Sequence, residues 1–143
     1  IDELLKDIKE STEADNEWRR ENGISELDIV GWMQRPTYDQ KKHHLVYAIK
    51  VFDRGEPESR DNLTVNWITY LLGREGYIDF TLITAESEFP YQQKFGSELL
   101  AGFEYVSGKR YEDFDSSTDK VAAYGIAALI GGVAEKNWDY WQS

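Results

Sequence analysis

The middle of the chain, from Ile24 to Thr84, holds four apolar runs with two-residue periodicity, separated by turn-forming residues. This pattern belongs to extended strands, because successive side chains on a strand point to opposite faces. In the first run Ile29, Gly31 and Met33 alternate with Val30, Trp32 and Gln34, and Arg35-Pro36-Thr37-Tyr38-Asp39 reads as the turn that ends it. His43 to Phe52 resumes the alternation with Leu45, Tyr47, Ile49 and Val51 on one face, which completes a β-hairpin. A polar loop over Asp53–Asp61 leads into Leu63–Leu72, with Val65, Trp67 and Leu71 in phase. Gly73-Arg74-Glu75-Gly76 is a tight turn before Tyr77–Thr84, where Ile78, Phe80 and Leu82 share a face.

Helices flank the strands. Residues 1–22 carry Leu4, Leu5, Ile8 and Trp18 as a thin apolar stripe, with Asp2 and Glu3 at the positive N-terminus and Asn22-Gly23 as the stop. The stripe weakens from Ser11 to Asn16, which leaves open two short helices in place of one. After Pro90, the spacing of Phe95, Leu99 and Phe103 predicts an amphipathic helix with Gly102 near its end, and Phe103–Val106 reads as a short strand. A last helix is expected from Ser117 or Thr118, with Ala123, Ala127 and Gly131 on one close-packing row. Strands grouped in the middle and helices at the flanks predict an α+β fold, a mainly antiparallel sheet with helices packed on it, including the Gly/Ala-rich C-terminal helix.

At 143 residues the chain fits one domain with an ordinary hydrophobic core. The expected organisation is an N-terminal helical segment over 1–23, a single α+β domain over 24–136, and an aromatic tail over 137–143. A formal charge of −11 excludes phosphate-backbone and polybasic membrane-surface partners. The lack of Cys removes disulfides, thiolate catalysis and Cys-ligated zinc. The longest nearly uncharged apolar run, Val121–Ala134, is shorter than the ~18–20 residues that cross a bilayer.

Catalytic signatures are weak. On a strand, the adjacent His43 and His44 point to opposite faces and so do not share a metal, and no cofactor motif is present. A hydrolase built on His44 with an acidic partner is conceivable, but no G-x-S-x-G elbow accompanies it. Asp113, Asp115 and Asp119 lack the glycine and distal glutamate of a calcium loop. Gly108-Lys109-Arg110-Tyr111-Glu112-Asp113-Phe114 gathers cations, acids and aromatics. Arg110 suits a carboxylate or phosphate, and Tyr111 and Phe114 suit a ligand wall; alternatively, an Arg–Asp pair pins the loop. Arg74, between Gly73 and Gly76, has the same two readings. Both loops are expected to form one surface, with Arg74 or Arg110 paired to Asp113. Tyr38, His44, Arg74, Arg110, Tyr111 and Asp113 are therefore the candidate ligand- or partner-binding residues.

Several motifs resemble an uncharacterised bacterial family of predicted membrane-anchored proteins, a domain of unknown function. They are Gly31-Trp32 with Pro36, Tyr38 and Asp39; His44-Leu45 with Ala48; Asn66 with Leu72-Gly73-Arg74 and Gly76; Gly108 with Tyr111, Asp113 and Phe114; and Thr118 to Ala127 continuing to Gly131-Gly132. They span about residues 29–136. Thr64-Val65-Asn66-Trp67 departs from the expected Asn-aromatic-Asn pattern, so no recognition role is carried to that strand. The resemblance implies a secretion signal before the domain and hydrophobic segments after it. The start at Ile1 and the aromatic Trp138, Tyr140 and Trp141 are then expected to be flanks of removed segments, the latter near a membrane interface. The resulting expectation is a non-enzymatic extracytoplasmic domain in the bacterial cell envelope. It would be membrane-anchored through absent segments and would bind a protein partner or a small envelope ligand. The resemblance transfers no catalytic residue.

Overall fold

The computed structural model describes residues 1–115 and 117. The expected C-terminal helix and aromatic tail therefore lie outside the described residues. Within them the order is α1 (Asp2–Glu21), β1 (Leu27–Asp39), β2 (His44–Asp53), β3 (Thr64–Leu72), β4 (Tyr77–Ala85) and α2 (Phe89–Ala101). The four strands form one antiparallel sheet, as expected, in the order β1-β2-β3-β4.

The central strands are covered on both sides. Ala48, Val65 and Trp67 pack with Phe89 and Leu100 of α2 on one face. Tyr47, Ile49 and Val51 pack with Ile8 of α1 on the other. The result is a three-layer arrangement, helix–sheet–helix, in which both side-chain phases of β2 find an apolar partner.

Helix α1 is continuous, not two pieces. Its inward row runs Leu4, Ile8, Thr12, Asn16 at four-residue spacing, changing from apolar to polar along its length. The polar end meets backbone instead of core. Asn16 is fully buried, accepts the Leu27 N–H at 2.8 Å and donates to the Leu27 carbonyl at 2.7 Å. Its amide thus substitutes for a neighbouring strand at the edge of β1. Trp18, expected in the stripe, is 59% exposed.

The hairpin turn lies beyond the expected Arg35–Asp39. Strand β1 runs through Pro36 to Asp39, and the reversal falls at Gln40–His43. Pro36 is accommodated because β1 is an edge strand, and the register shifts between Gln34 and Thr37, where a missing N–H costs nothing. Asp39 makes the turn by taking the Lys41 and Lys42 N–H groups at 2.9 and 3.1 Å.

Helix α2 also differs in its buried face. Phe89 and Gly96 are buried and Leu100 is partly so, whereas Phe95 and Leu99 are 46% and 69% exposed. The helix carries two apolar rows, and the sheet takes the row containing Gly96. Beyond α2, Phe103–Val106 forms no ladder; the isolated bridge of this region joins Gly73 to Arg110.

Candidate functional site

The start of β2, the end of α2 and the segment 103–112 enclose a cavity of about 290 Å³ at one end of the sheet. Lys42, His44, Glu104 and Arg110 supply its charged and polar lining, and Leu72, Leu100, Ala101 and Phe103 an apolar part. Tyr111 and Glu112 also line it, from a short 3₁₀ turn over Tyr111–Asp113.

The residue that ties the turn to the sheet is His43. It sits at φ 55°, in the left-handed region, as the last residue of the hairpin reversal. Its Nδ1 is 2.9 Å from the Tyr38 hydroxyl and its Nε2 is 3.1 Å from Glu112 Oε1. Its ring stacks on Tyr111 at 4.0 Å and 27°. Burial pushes the Tyr38 hydroxyl up to about 12, so at neutral pH it keeps its proton, and the direction of its hydrogen bond with Nδ1 follows the ring's tautomer. An ionised Glu112 carboxylate can only accept, which favours the proton on Nε2. Both ring nitrogens are thus engaged within the protein, one by Tyr38 and one by Glu112.

Three of the six expected residues, His44, Arg110 and Tyr111, line this cavity, and Tyr38 reaches it through His43. Arg74 does not. It lines a second cavity, of about 460 Å³, on the other side of Phe103–Tyr105 together with Glu75, Tyr77 and Lys109. The loops at Gly73–Gly76 and Gly108–Phe114 do form one surface. Arg74 N–H donates to the Lys109 carbonyl at 3.0 Å, Arg74 Nη1 to the Gly108 carbonyl at 3.2 Å, and Lys109 pairs with Glu75 at 2.8 Å. The expected guanidinium pair to Asp113 is replaced by backbone capping: Asp113 Oδ2 accepts the N–H groups of Gly108 and Arg110 at 2.9 and 3.0 Å. A carboxylate that close to two amides saturates locally, and the Arg110 side chain turns instead to the Tyr105 carbonyl at 3.3 Å.

His43, Glu112, Lys42 and Glu104 are polar site residues that the sequence reading does not single out. Placing the turn at Asp39, from its Asx-turn chemistry, brings His43 off the strand and into view. Among the described residues, no three His, Asp or Glu side chains converge as a metal would require.

Burial lowers the His44 pKa first, and the Lys42 charge adds to this, against a smaller opposing effect of Asp39. The unfolded chain therefore binds more protons than the folded one just below the ordinary histidine value. His44 stability is complete above about pH 6.5 and is lost as pH falls through its lower folded value. Stability curves of the parent and His44→Gln, measured by urea unfolding, should accordingly converge as pH falls from 7 to 5. A parallel offset across that range would contradict the assignment.

Fold and site define a small α+β domain with an antiparallel meander between helices and a mixed polar–apolar cavity at one end of the sheet. The chain belongs to DUF2167, a family of proteins of unknown function, whose model matches residues 1–137 and so takes in α1 as well as the sheet. No curated protein and no solved structure matches it. Among the described residues, no helix is long and apolar enough to cross a membrane.

Proposed function

We propose that this chain is a non-enzymatic binding domain of the bacterial envelope, held by membrane segments outside it, and that it takes a small amphipathic anion. The observation that carries the ligand class is the cavity itself. Lys42 and Arg110 line it beside Glu104 and Glu112, over the apolar Leu72, Leu100, Ala101 and Phe103. Lys42 and Arg110 are the groups there that would hold an organic carboxylate or phosphate with an apolar body, the guanidinium by fork-shaped recognition, with Glu112 already engaged by His43. The envelope setting rests on the resemblance of the sequence motifs to predicted membrane-anchored proteins.

The hydrolase reading has less support. Among the described residues no hydrogen bond joins His44 to a carboxylate, and Asp39, whose charge reaches it, is occupied by backbone N–H groups. His43 has an acidic partner in Glu112, but its other nitrogen meets the Tyr38 phenol and not a Ser or Thr hydroxyl that could act as nucleophile.

Thermal unfolding with phenyl phosphate, benzoate and neutral benzyl alcohol tests the proposal. Both anions are expected to raise the melting temperature of the parent, since a ligand that binds only the folded state stabilises it by mass action. Benzyl alcohol should not, and Arg110→Ala should lose the response. Equal shifts with all three compounds, or an unchanged response in Arg110→Ala, would overturn the proposal.

A further inference from the structure

The two edges of the sheet are treated differently. β1 is interrupted by three register shifts and by Pro36, and the Asn16 amide caps the Leu27 backbone. β4 pairs with β3 through nine consecutive residues without a shift, and contains no Pro, Gly or Lys; Asp79 is its one charge. Among the described residues no strand pairs with its outer edge. A long, regular, nearly uncharged edge is a template for another strand.

Helix α2 extends this surface. Gly96 faces Trp67 of β3 and Leu82 of β4, and Gln93 donates to Gln34 of β1 at 3.1 Å, so that side of the helix looks across the sheet toward β1. At about 100° per residue, Tyr91, Phe95 and Leu99 turn away from that row, to the side of the helix that faces away from β1. Of the ten large hydrophobic residues exposed among those described, five lie on β4 and α2: Ile78, Ile83, Tyr91, Phe95 and Leu99. Exposed apolar groups concentrated on adjoining elements mark an association surface.

We propose that two copies of this chain join edge to edge through β4, antiparallel about a two-fold axis at Thr81, with the outer rows of α2 meeting at the same seam. A two-fold there sets Thr81 against its own copy, Phe80 against Leu82 on one face, and Asp79 against Ile83 on the other. The strand's one charge therefore never meets itself, which direct self-pairing at Asp79 would penalise. The nine-residue edge is about 30 Å long, and with a helix layered on it roughly 15–20 Å deep. That gives on the order of 500 Å² per partner, about 1,000 Å² in all, which reaches the lower bound for a specific interface. The −11 charge on each copy opposes approach and is screened by salt, so added NaCl tightens the pair.

Because the chain has no Cys, single introduced thiols report the register. Thr81→Cys places two Cα atoms about 4.5–5.5 Å apart across the axis, within disulfide range, whereas Thr84→Cys places them far outside it. Mild oxidation should cross-link Thr81→Cys at least tenfold faster than Thr84→Cys. Sedimentation of the parent should show a dimer between about 10 and 500 µM that Thr81→Lys abolishes, with its melting profile preserved at low concentration. A parent that stays monomeric over that range, in low and high salt, would overturn the proposal, as would equal cross-linking of the two variants or a dimer that survives Thr81→Lys.

Discussion

Replacing Asn16 with leucine is expected to destabilise the domain by about 2–5 kcal/mol, although leucine is nearly isosteric and the better helix former. The side chain has no exposure, and its amide accounts for both the N–H and the carbonyl of Leu27. Leucine removes both partners at once and leaves two backbone groups enclosed under α1, each costing about 1–3 kcal/mol when stranded. Asn16→Asp keeps the acceptor for the Leu27 N–H but turns a second carboxylate oxygen on the Leu27 carbonyl, beside Glu13, so it too should destabilise. Urea unfolding measures both. A leucine variant within about 0.5 kcal/mol of the parent would show that the amide carries no net weight.

The second large effect is expected at Gly96. In an exposed helix, alanine for glycine stabilises by about 1 kcal/mol. Here the sign reverses, because a Cβ at Gly96 would stand 2.5 Å from Trp67 Cζ3 and 3.5 Å from Leu82 Cδ2. Trp67 is itself buried and edge-packed on Phe80 at 6.3 Å, so it has little room to retreat. Gly96→Ala should therefore cost about 1–3 kcal/mol net, and Gly96→Leu should lift α2 from the sheet and cost more. At roughly 2–4 °C per kcal/mol for a chain of this size, calorimetry separates the two. An alanine variant that melts higher than the parent would mean that α2 does not approach the sheet this closely.

The strands were legible because alternation depends only on which side of the chain is apolar. Val65, Trp67 and Leu71 fall where their phase puts them. Other features depended on partners distant in sequence. Pro36 looks like a turn residue until β1 is known to be an edge, and edge position is a property of the whole sheet. Asn16 looks like a break in an apolar stripe until Leu27 is brought beneath it. In α2, the rows at Phe95 and Leu99 and at Phe89, Gly96 and Leu100 are both apolar. The larger side chains drew the expectation outward, while the glycine permits the close approach that decides the matter. The site was half legible. His44, Arg110 and Tyr111 were placed by their chemistry, but a turn expected at Arg35–Asp39 hid His43, and Glu112 gains meaning only once the two are adjacent.

The proposed function is tested most directly by a ¹H–¹⁵N titration of the domain with phenyl phosphate. Saturable shifts are expected at Lys42–His44, Leu100–Tyr105 and Arg110–Glu112, the three segments that meet at the cavity, and at the Arg110 Nε resonance. They should vanish in Arg110→Ala while the Tyr47, Val65 and Trp67 amides stay in place. Shifts confined to the Arg74–Tyr77 surface, or none at all, would contradict it.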